Sequence, residues 1–171
     1  MRLVSGKRLL ASLGAATVVA AMPLSWAAAA TTTTTFTVTA NVVTNCTVVA
    51  NNLNFGNYTG VLLAGTTTLT ATCSNGTAFN LGLDAGTAAG ATVTTRQMQG
   101  PNTRSGGDRL AYGLFRDAGH SLNWGNSVGT DTVASAGTGA AQNFTVFGQV
   151  PAAQHPAAGE YQDLITVTLT F

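Results

Sequence analysis

The stretch TTLTATCSNGTAFNLGL, residues 67–83, decides the fold of this chain. On both sides of Ser74-Asn75-Gly76-Thr77 every second residue is apolar, which is the period of a half-buried β-strand and not of a helix. The four central residues are typical of a tight turn. The stretch therefore predicts two successive strands, and we expect them to pair as a hairpin.

The same alternation recurs along the chain and predicts an all-β fold. Beyond residue 30 the sequence is rich in Thr, Val, Gly and Ala, which favour strands and turns, and no segment shows sustained helical periodicity. About eight or nine strands are expected, a number typical of a β-sandwich. The further strands are predicted at 36–42, 46–50, 92–98, 110–114, 122–124, 144–150 and 161–171, with a brief extended piece at 53–58 and a loose loop at 125–142.

The first 30 residues predict export from the cytoplasm. Three basic residues among the first eight precede an apolar run at residues 9–21, and the small residues 27–30 offer a cleavage site. The run has 13 residues and reaches only about 20 Å as a helix, short of a hydrocarbon core of about 30 Å. We therefore expect a signal peptide at residues 1–30, and no later segment is apolar enough to span a membrane.

Removal of residues 1–30 changes the sign of the net charge. The whole chain has 7 Lys and Arg against 6 Asp and Glu, and three of the basic residues lie in the signal peptide. The mature chain thus has no lysine and a net charge of 4 − 6 = −2. Because such a surface does not attract nucleic acid or an anionic membrane, we expect neither as a partner.

Cys46 and Cys73 are the two cysteines of the sequence. In an exported chain an isolated pair is expected to form a disulfide, which here would close a loop of 28 residues. The chain-entropy model gives such a loop about 3.6 kcal/mol of stabilisation. A metal site is the alternative, but only His120 and His155 could join the cysteines and no ligand spacing recurs, so we predict no metal and no cofactor.

No group of residues predicts catalysis. Asp117, His120 and Ser121 lie close in sequence, but the members of a catalytic triad normally come from distant positions, and no Gly-x-Ser-x-Gly elbow occurs. We expect a polar turn at this place and a solvated side chain at His155. The carboxylates are scattered along the chain, so the sequence predicts that the protein is not an enzyme.

The two ends of the mature chain carry the most informative pattern. Bare alternating strands at both ends are unusual, since sandwiches protect their edges with charge, proline or coverage. They suggest strands made for pairing with another chain, although composition alone favours the alternative that both pair within one closed sandwich. The apolar residues are Phe36, Val38, Ala40 and Val42 near the start, and Ile165, Val167, Leu169 and Phe171 at the end, where no charge follows Asp163.

Several short stretches, taken in order, resemble the spore coat protein U domain family, which includes the archaic, Csu-type chaperone–usher pilus subunits. The most specific are at the end of the chain, and together the stretches cover nearly all of it after residue 30. They are FTVTANV at 36–42, CTV at 46–48, LNFGNY at 53–58, Thr72-Cys73, LAYGLF at 110–115, Trp124-Gly125, FTVFGQVP at 144–151, AGEYQD at 158–163 and VTLTF at 167–171.

The resemblance implies an incomplete immunoglobulin-like β-sandwich that is completed by a strand donated from another chain. Residues 31–44 would be the donor-strand extension and residues 45–171 the pilin-like domain. The donor face would be formed by Phe36, Val38, Ala40 and Val42, and the strand that borders the acceptor groove and contacts the chaperone would carry Ile165, Val167, Leu169 and Phe171.

The resemblance also implies a location and partners. The chain would be a structural subunit of a cell-surface pilus, exported through the periplasm, with like subunits, a periplasmic chaperone and an outer-membrane usher as partners. A spore or cell-surface coat protein is the first alternative. A secreted carbohydrate-binding or enzymatic β-sandwich is the second.

Overall fold

The computed structural model describes residues 28–101 and 108–171, so all but the last three residues of the expected signal peptide lie outside the described residues. The chain divides into two units, residues 1–40 and residues 41–171, and each is described by itself. In the first unit, residues 28–40 are exposed and have no regular secondary structure.

The second unit is built from β-strands, which confirms the predicted all-β class. The described ranges contain no helix long and apolar enough to cross a membrane. The strands in chain order are β1 (Cys46–Ala50), β2 (Leu63–Cys73), β3 (Ala78–Leu83), β4 (Arg96–Gln99), β5 (Arg109–Phe115), β6 (Val133–Ala136), β7 (Ala141–Val150) and β8 (Val167–Thr170).

The strands form two antiparallel sheets with one core between them. One sheet has five strands in the order β1-β2-β7-β5-β4, and the other has three in the order β6-β3-β8. Alternate residues of both sheets meet in the core, for example Leu69 and Val146 from the first and Phe79 and Leu81 from the second. The period-two pattern of the sequence thus decides which face of each strand is buried.

Residues of β5 and β7, together with Trp124, complete the core. Tyr112, Leu114, Val146 and Trp124 are at most 7% exposed. The indole N–H of Trp124 donates to the carbonyl of Leu81 over 2.9 Å. Phe144 is half-buried and packs edge-on against Phe79, with ring centroids 5.9 Å apart.

The predicted hairpin at residues 67–83 is wrong, although both of its strands exist. β2 pairs with β1 and β7, whereas β3 pairs with β6 and β8, so the turn carries the chain from one sheet to the other. Gly76 has the positive φ of 78° that this turn requires, and its N–H donates to the carbonyl of Gly137 over 2.8 Å. Alternation marks the buried face of a strand but not its neighbour, so a hairpin and a crossing between sheets have the same pattern.

Several other predicted strands also differ from the structure. The strand predicted at 92–98 is limited to β4, and in place of the strand predicted at 122–124 there is only an isolated bridge between Asn123 and Phe115. β6 lies within residues 125–142, where a loop was expected. The sequence does not predict this strand because its four residues have small side chains and give only a weak pattern. The last strand is limited to β8, and the residues before it make only an isolated bridge between Gln162 and Gln99.

Arg96 is a fully buried charged residue that the sequence did not single out. Its guanidinium donates four hydrogen bonds of 2.7–3.0 Å to backbone carbonyls. Burial lowers the pKa of Arg96, and the neighbouring Tyr112 and Asp84 oppose that effect. The side chain thereby ties the start of β4 to the end of β3 and to Trp124, which lie 13 and 28 positions away. The carbonyls belong to Leu83, Asp84, Val93 and Trp124.

Candidate functional site

A groove opens between the two sheets at the place where each sheet ends in an edge strand. Among the described residues, β1 pairs only with β2, and β8 pairs only with β3. β1 and β8 lie near each other, but no ladder joins them. The groove has a volume of about 860 Å³ and lies beside the end of β1 and the start of β8, where Ala50 and Val167 line it.

The groove has an apolar floor and two walls made of irregular chain. Ala50 at the end of β1 and the following residues 51–58 form the first wall, and residues 159–165, which precede β8, form the second. Exposed polar residues of both walls, such as Asn52 and Glu160, also line the opening. The floor consists of the core residues Leu69, Leu83, Leu110, Tyr112, Leu114, Val146 and Val150.

The first wall is seated on a pair of glycines. Gly65 in β2 lies opposite Gly148 in β7, and Leu53 and Phe55 pack onto this pair. A Cβ added at Gly148 would come within 2.5 Å of Leu53 and 2.7 Å of Phe55, so the glycine makes the close approach of the wall possible. The hydroxyl of Tyr58 fastens the end of the wall, since it donates to a carbonyl after β7 over 2.8 Å.

The second wall is held by Asp163. One carboxylate oxygen of Asp163 accepts a hydrogen bond of 2.8 Å from the Tyr112 hydroxyl, and the other accepts bonds of 2.8 Å from the N–H and the hydroxyl of Thr87. Burial, together with the hydrogen bond to the Asp163 carboxylate, raises the pKa of Tyr112 far above its usual value, so its hydroxyl stays a donor. The wall is thereby attached to the floor strand β5 and to the loop after β3.

Asp84 positions the start of β8. Its carboxylate accepts hydrogen bonds of 3.0 Å from the N–H groups of Thr166 and Gly86, and its own N–H donates to the Thr166 carbonyl over 3.1 Å. Burial raises the pKa of Asp84, but these hydrogen bonds and the charge of Arg96 outweigh it, so the pKa is lowered overall.

We expect the folded chain to lose stability in acid partly through Asp84. Because its pKa is lower in the folded chain than the unfolded value of about 3.9, protonation favours the unfolded state. The contribution is present at neutral pH and is lost as the pH falls below about 4. Asp84→Asn should therefore reduce the difference between the urea midpoints measured at pH 7 and pH 3. Equal differences in the two proteins would contradict this role.

The four residues expected to border the acceptor groove differ in burial and in their distance from the groove. Ile165 and Val167 line the groove. Leu169 is partly buried against the core, whereas Phe171 is 59% exposed. The alternation predicted for this end is present from residue 161 to residue 170.

The expected strand at 36–42 is absent from the single chain. Residues 28–45 are exposed and have no regular secondary structure, with Phe36, Val38 and Val42 each more than 80% exposed and Ala40 also exposed. A strand needs a neighbouring backbone to pair its N–H and C=O groups, and no described strand pairs with these residues. The apolar alternation is therefore present without the partner that would make it a strand.

The structure joins Cys46 and Cys73 in a disulfide. The two residues lie directly opposite each other in β1 and β2, with Cα atoms 4.1 Å apart. The bond fastens the edge strand β1 to its neighbour β2.

The cluster of Asp117, His120 and Ser121 is a polar turn, as expected. The Asp117 carboxylate accepts hydrogen bonds from the N–H and hydroxyl of Ser121 and from the N–H of Leu122, and these bonds, above all that from Leu122, lower the pKa of Asp117. The His120 ring packs edge-on against Phe115, 5.3 Å away. His155 is exposed, and within the described ranges no three His, Cys, Asp or Glu residues are grouped so that they could hold a metal ion.

The contacts that shape the groove were missed by the sequence reasoning, although one signal was present. In the sequence Asp163 is one of several scattered carboxylates. It occupies the same alternate positions as Tyr161, Ile165 and Val167, so the pattern placed a carboxylate on a buried face. A charge at such a position needs a hydrogen-bond partner, which is Tyr112.

The fold is an immunoglobulin-like β-sandwich with an open groove between its edge strands. The family model described as Spore Coat Protein U domain matches residues 32–168, and the chain therefore belongs to this family. It is 34% identical over 171 residues to "Protein U" of Myxococcus xanthus, with 92% of this chain and 93% of that protein covered.

The fold is similar to that of a solved chaperone–subunit complex. That complex is the chaperone–tip adhesion subunit pre-assembly complex CsuC-CsuE from the archaic chaperone–usher Csu pili of Acinetobacter baumannii. The likeness has a TM-score of 0.57 at 24% identity and covers 76% of this chain. This chain spans 40% of the length of the solved one.

Proposed function

We propose that this chain is a structural subunit of a secreted surface pilus that polymerises by donor-strand exchange. One observation carries the proposal. An open groove with an apolar floor lies between two edge strands, and an exposed segment with alternating apolar residues lies in the same chain. A groove that lacks a strand and a strand that lacks a partner complement each other when they belong to successive subunits.

In this proposal the mature chain has two parts. Residues 31–44 are the donor-strand extension, in which Phe36, Val38, Ala40 and Val42 face the groove of a neighbour. Residues 45–171 form the domain that accepts a donor, between β1 and the strand that carries Ile165, Val167, Leu169 and Phe171. The donated strand would pair with the free edges and cover the apolar floor.

The proposal includes export and helper proteins. The expected signal peptide directs the chain through the periplasm, where a chaperone would occupy the groove before assembly. An outer-membrane usher would then exchange the chaperone for the extension of the next subunit. The family membership and the fold of the Csu complex support this route. In this role the protein is not an enzyme.

A structural protein of a spore or cell-surface coat is the second candidate function. The description of the family and the similarity to Protein U of Myxococcus xanthus favour it. A coat subunit could use the same groove and extension to join its neighbours. The two candidates differ in the assembly that they form, since a pilus is a fibre that grows at an usher.

Deletion of residues 31–42 from the chain, co-expressed with its chaperone and usher, tests the proposal. The truncated subunit should accumulate with the chaperone but form no fibres under the electron microscope. Deletion of residues 31–35 alone is the matched control, since it shortens the same end but leaves the alternating residues, and it should leave fibres intact. Fibres of normal length from the larger deletion would show that donor-strand exchange is not the mechanism.

A further inference from the structure

We propose that Tyr112 is a positioning residue that sets the width of the groove by linking its two walls. This inference rests on the proposed function, because it concerns how firmly the groove holds a donated strand. Tyr112 belongs to the floor strand β5 and is 7% exposed. Its ring and its hydroxyl contact different walls.

The ring of Tyr112 contacts the first wall. Its centroid lies 6.3 Å from that of Phe55, and the two rings meet edge to face at 62°. Phe55 cannot move deeper, because it already packs onto Gly148. The ring of Tyr112 therefore fixes where the first wall lies above the floor.

The hydroxyl of Tyr112 contacts the second wall through Asp163. The bond of 2.8 Å joins a neutral donor to a carboxylate, a combination stronger than a bond between neutral groups. The same carboxylate accepts from the N–H of Thr87 and from that of Leu164, over 2.8 and 2.9 Å. Loss of the hydroxyl would leave one oxygen of Asp163 without this donor and loosen the wall from the floor.

The arrangement predicts how a change in Tyr112 affects a bound strand. A strand in the groove lies above Tyr112 and between the two walls that this side chain connects. Tyr112→Phe keeps the ring, and so keeps the floor and the contact with Phe55, but it removes the hydrogen bond that ties Asp163 of the second wall to β5. The strand should still enter the groove but should leave it faster.

The experiment measures release of a fluorescent peptide with the sequence of residues 31–44. The mature full chain is isolated with its chaperone, loaded with the peptide, and chased with unlabelled peptide at a temperature where release from the wild type is measurable. Because a hydrogen bond to a carboxylate is stronger than one between neutral groups, release should be about tenfold faster from Tyr112→Phe. Amide exchange of Thr87 and Leu164, which both donate to Asp163, should also be faster.

A second variant and a control separate positioning from a general loss of stability. Asp163→Asn should also accelerate release, and the double variant should release no faster than the faster single one, because both changes break the same connection. Thr132→Val removes a partly buried hydrogen bond of 3.2 Å to Asn80, which does not line the groove, and should leave release unchanged.

The outcomes distinguish the two proposals. If the wild-type chain does not take up the peptide, the proposed function fails and this inference fails with it. If the wild type takes up the peptide but Tyr112→Phe releases it at the wild-type rate, the inference about Tyr112 alone is wrong. Additive effects of Tyr112→Phe and Asp163→Asn would likewise overturn it.

Discussion

Val38→Asp is expected to abolish polymerisation while leaving the subunit folded. Val38 is 81% exposed in the single chain, so an aspartate there meets water and costs the fold little. In the groove of a neighbour, by contrast, the change removes about 1.5–3 kcal/mol of apolar burial and places a carboxylate against an apolar floor. The effect should therefore appear only on assembly. Chaperone-bound subunit should be present at wild-type level, and fibres should be absent by electron microscopy.

The neighbouring threonines provide the matched control. Thr37 and Thr39 alternate with the apolar residues and face away from the groove in the proposed arrangement. Changing either to serine removes one methyl group, and fibres should form as in the wild type. If Val38→Asp also assembles normally, the apolar face at residues 36–42 is not what enters the groove. Alkylation of the variant should detect no free thiol at Cys46 or Cys73, which would show that its subunit still forms the native disulfide.

The sequence predicted the class of fold because alternation reports burial directly. The apolar positions from Leu69 to Leu83 are buried as the period of two requires, and Cys46 and Cys73 meet across two adjacent strands. These features are local or involve one pair of residues. The strand count of about eight or nine also agrees with the eight described strands.

The sequence did not predict which strands are neighbours, because neighbours depend on the path of the whole chain. The turn at Ser74–Thr77 has the residues of a hairpin turn, yet the chain crosses between sheets there. β6 is short, and its alternating residues are small, so its burial left almost no pattern. Residues 36–42 show the opposite case, since their pattern is clear and the single chain offers them no partner.

The sequence predicted some of the residues that border the groove but not the hydrogen bonds that hold its walls. Apolar alternation singled out both ends of the chain, and the structure places Ile165 and Val167 at the groove. The hydrogen bond between Tyr112 and Asp163 spans 51 positions in sequence, and no local sequence pattern predicts such a contact. The same is true of Arg96, whose carbonyl partners lie up to 28 positions away.

Arg96→Leu is expected to have the largest effect on stability of any single change in the core. The guanidinium is fully buried and serves four carbonyl oxygens, which no aliphatic side chain can do. A buried acceptor left without its donor costs about 1–3 kcal/mol, and these four share one donor group, so we expect a total loss of about 3–5 kcal/mol. That is a large part of the about 5–15 kcal/mol by which a typical domain is stable. Urea unfolding of the full chain measures it.

Two further variants show whether the stability depends on the geometry of the guanidinium or only on its charge. Arg96→Lys keeps a cation but offers three donors on one atom, which cannot reach carbonyls as far apart as those of Val93 and Trp124, so it should rescue little. Arg116→Leu is the control for loss of a half-buried arginine. Its side chain donates one bond, of 3.0 Å, to the Thr132 carbonyl, so the change should cost about 1 kcal/mol.

The Arg96 variants should also weaken binding of the 31–44 peptide. Arg96 donates hydrogen bonds to the carbonyls of Leu83 and Asp84, and the Asp84 carboxylate in turn accepts one from Thr166 at the start of β8. Unfolding midpoints for Arg96→Leu that match those of Arg116→Leu would mean that the four carbonyls find other donors.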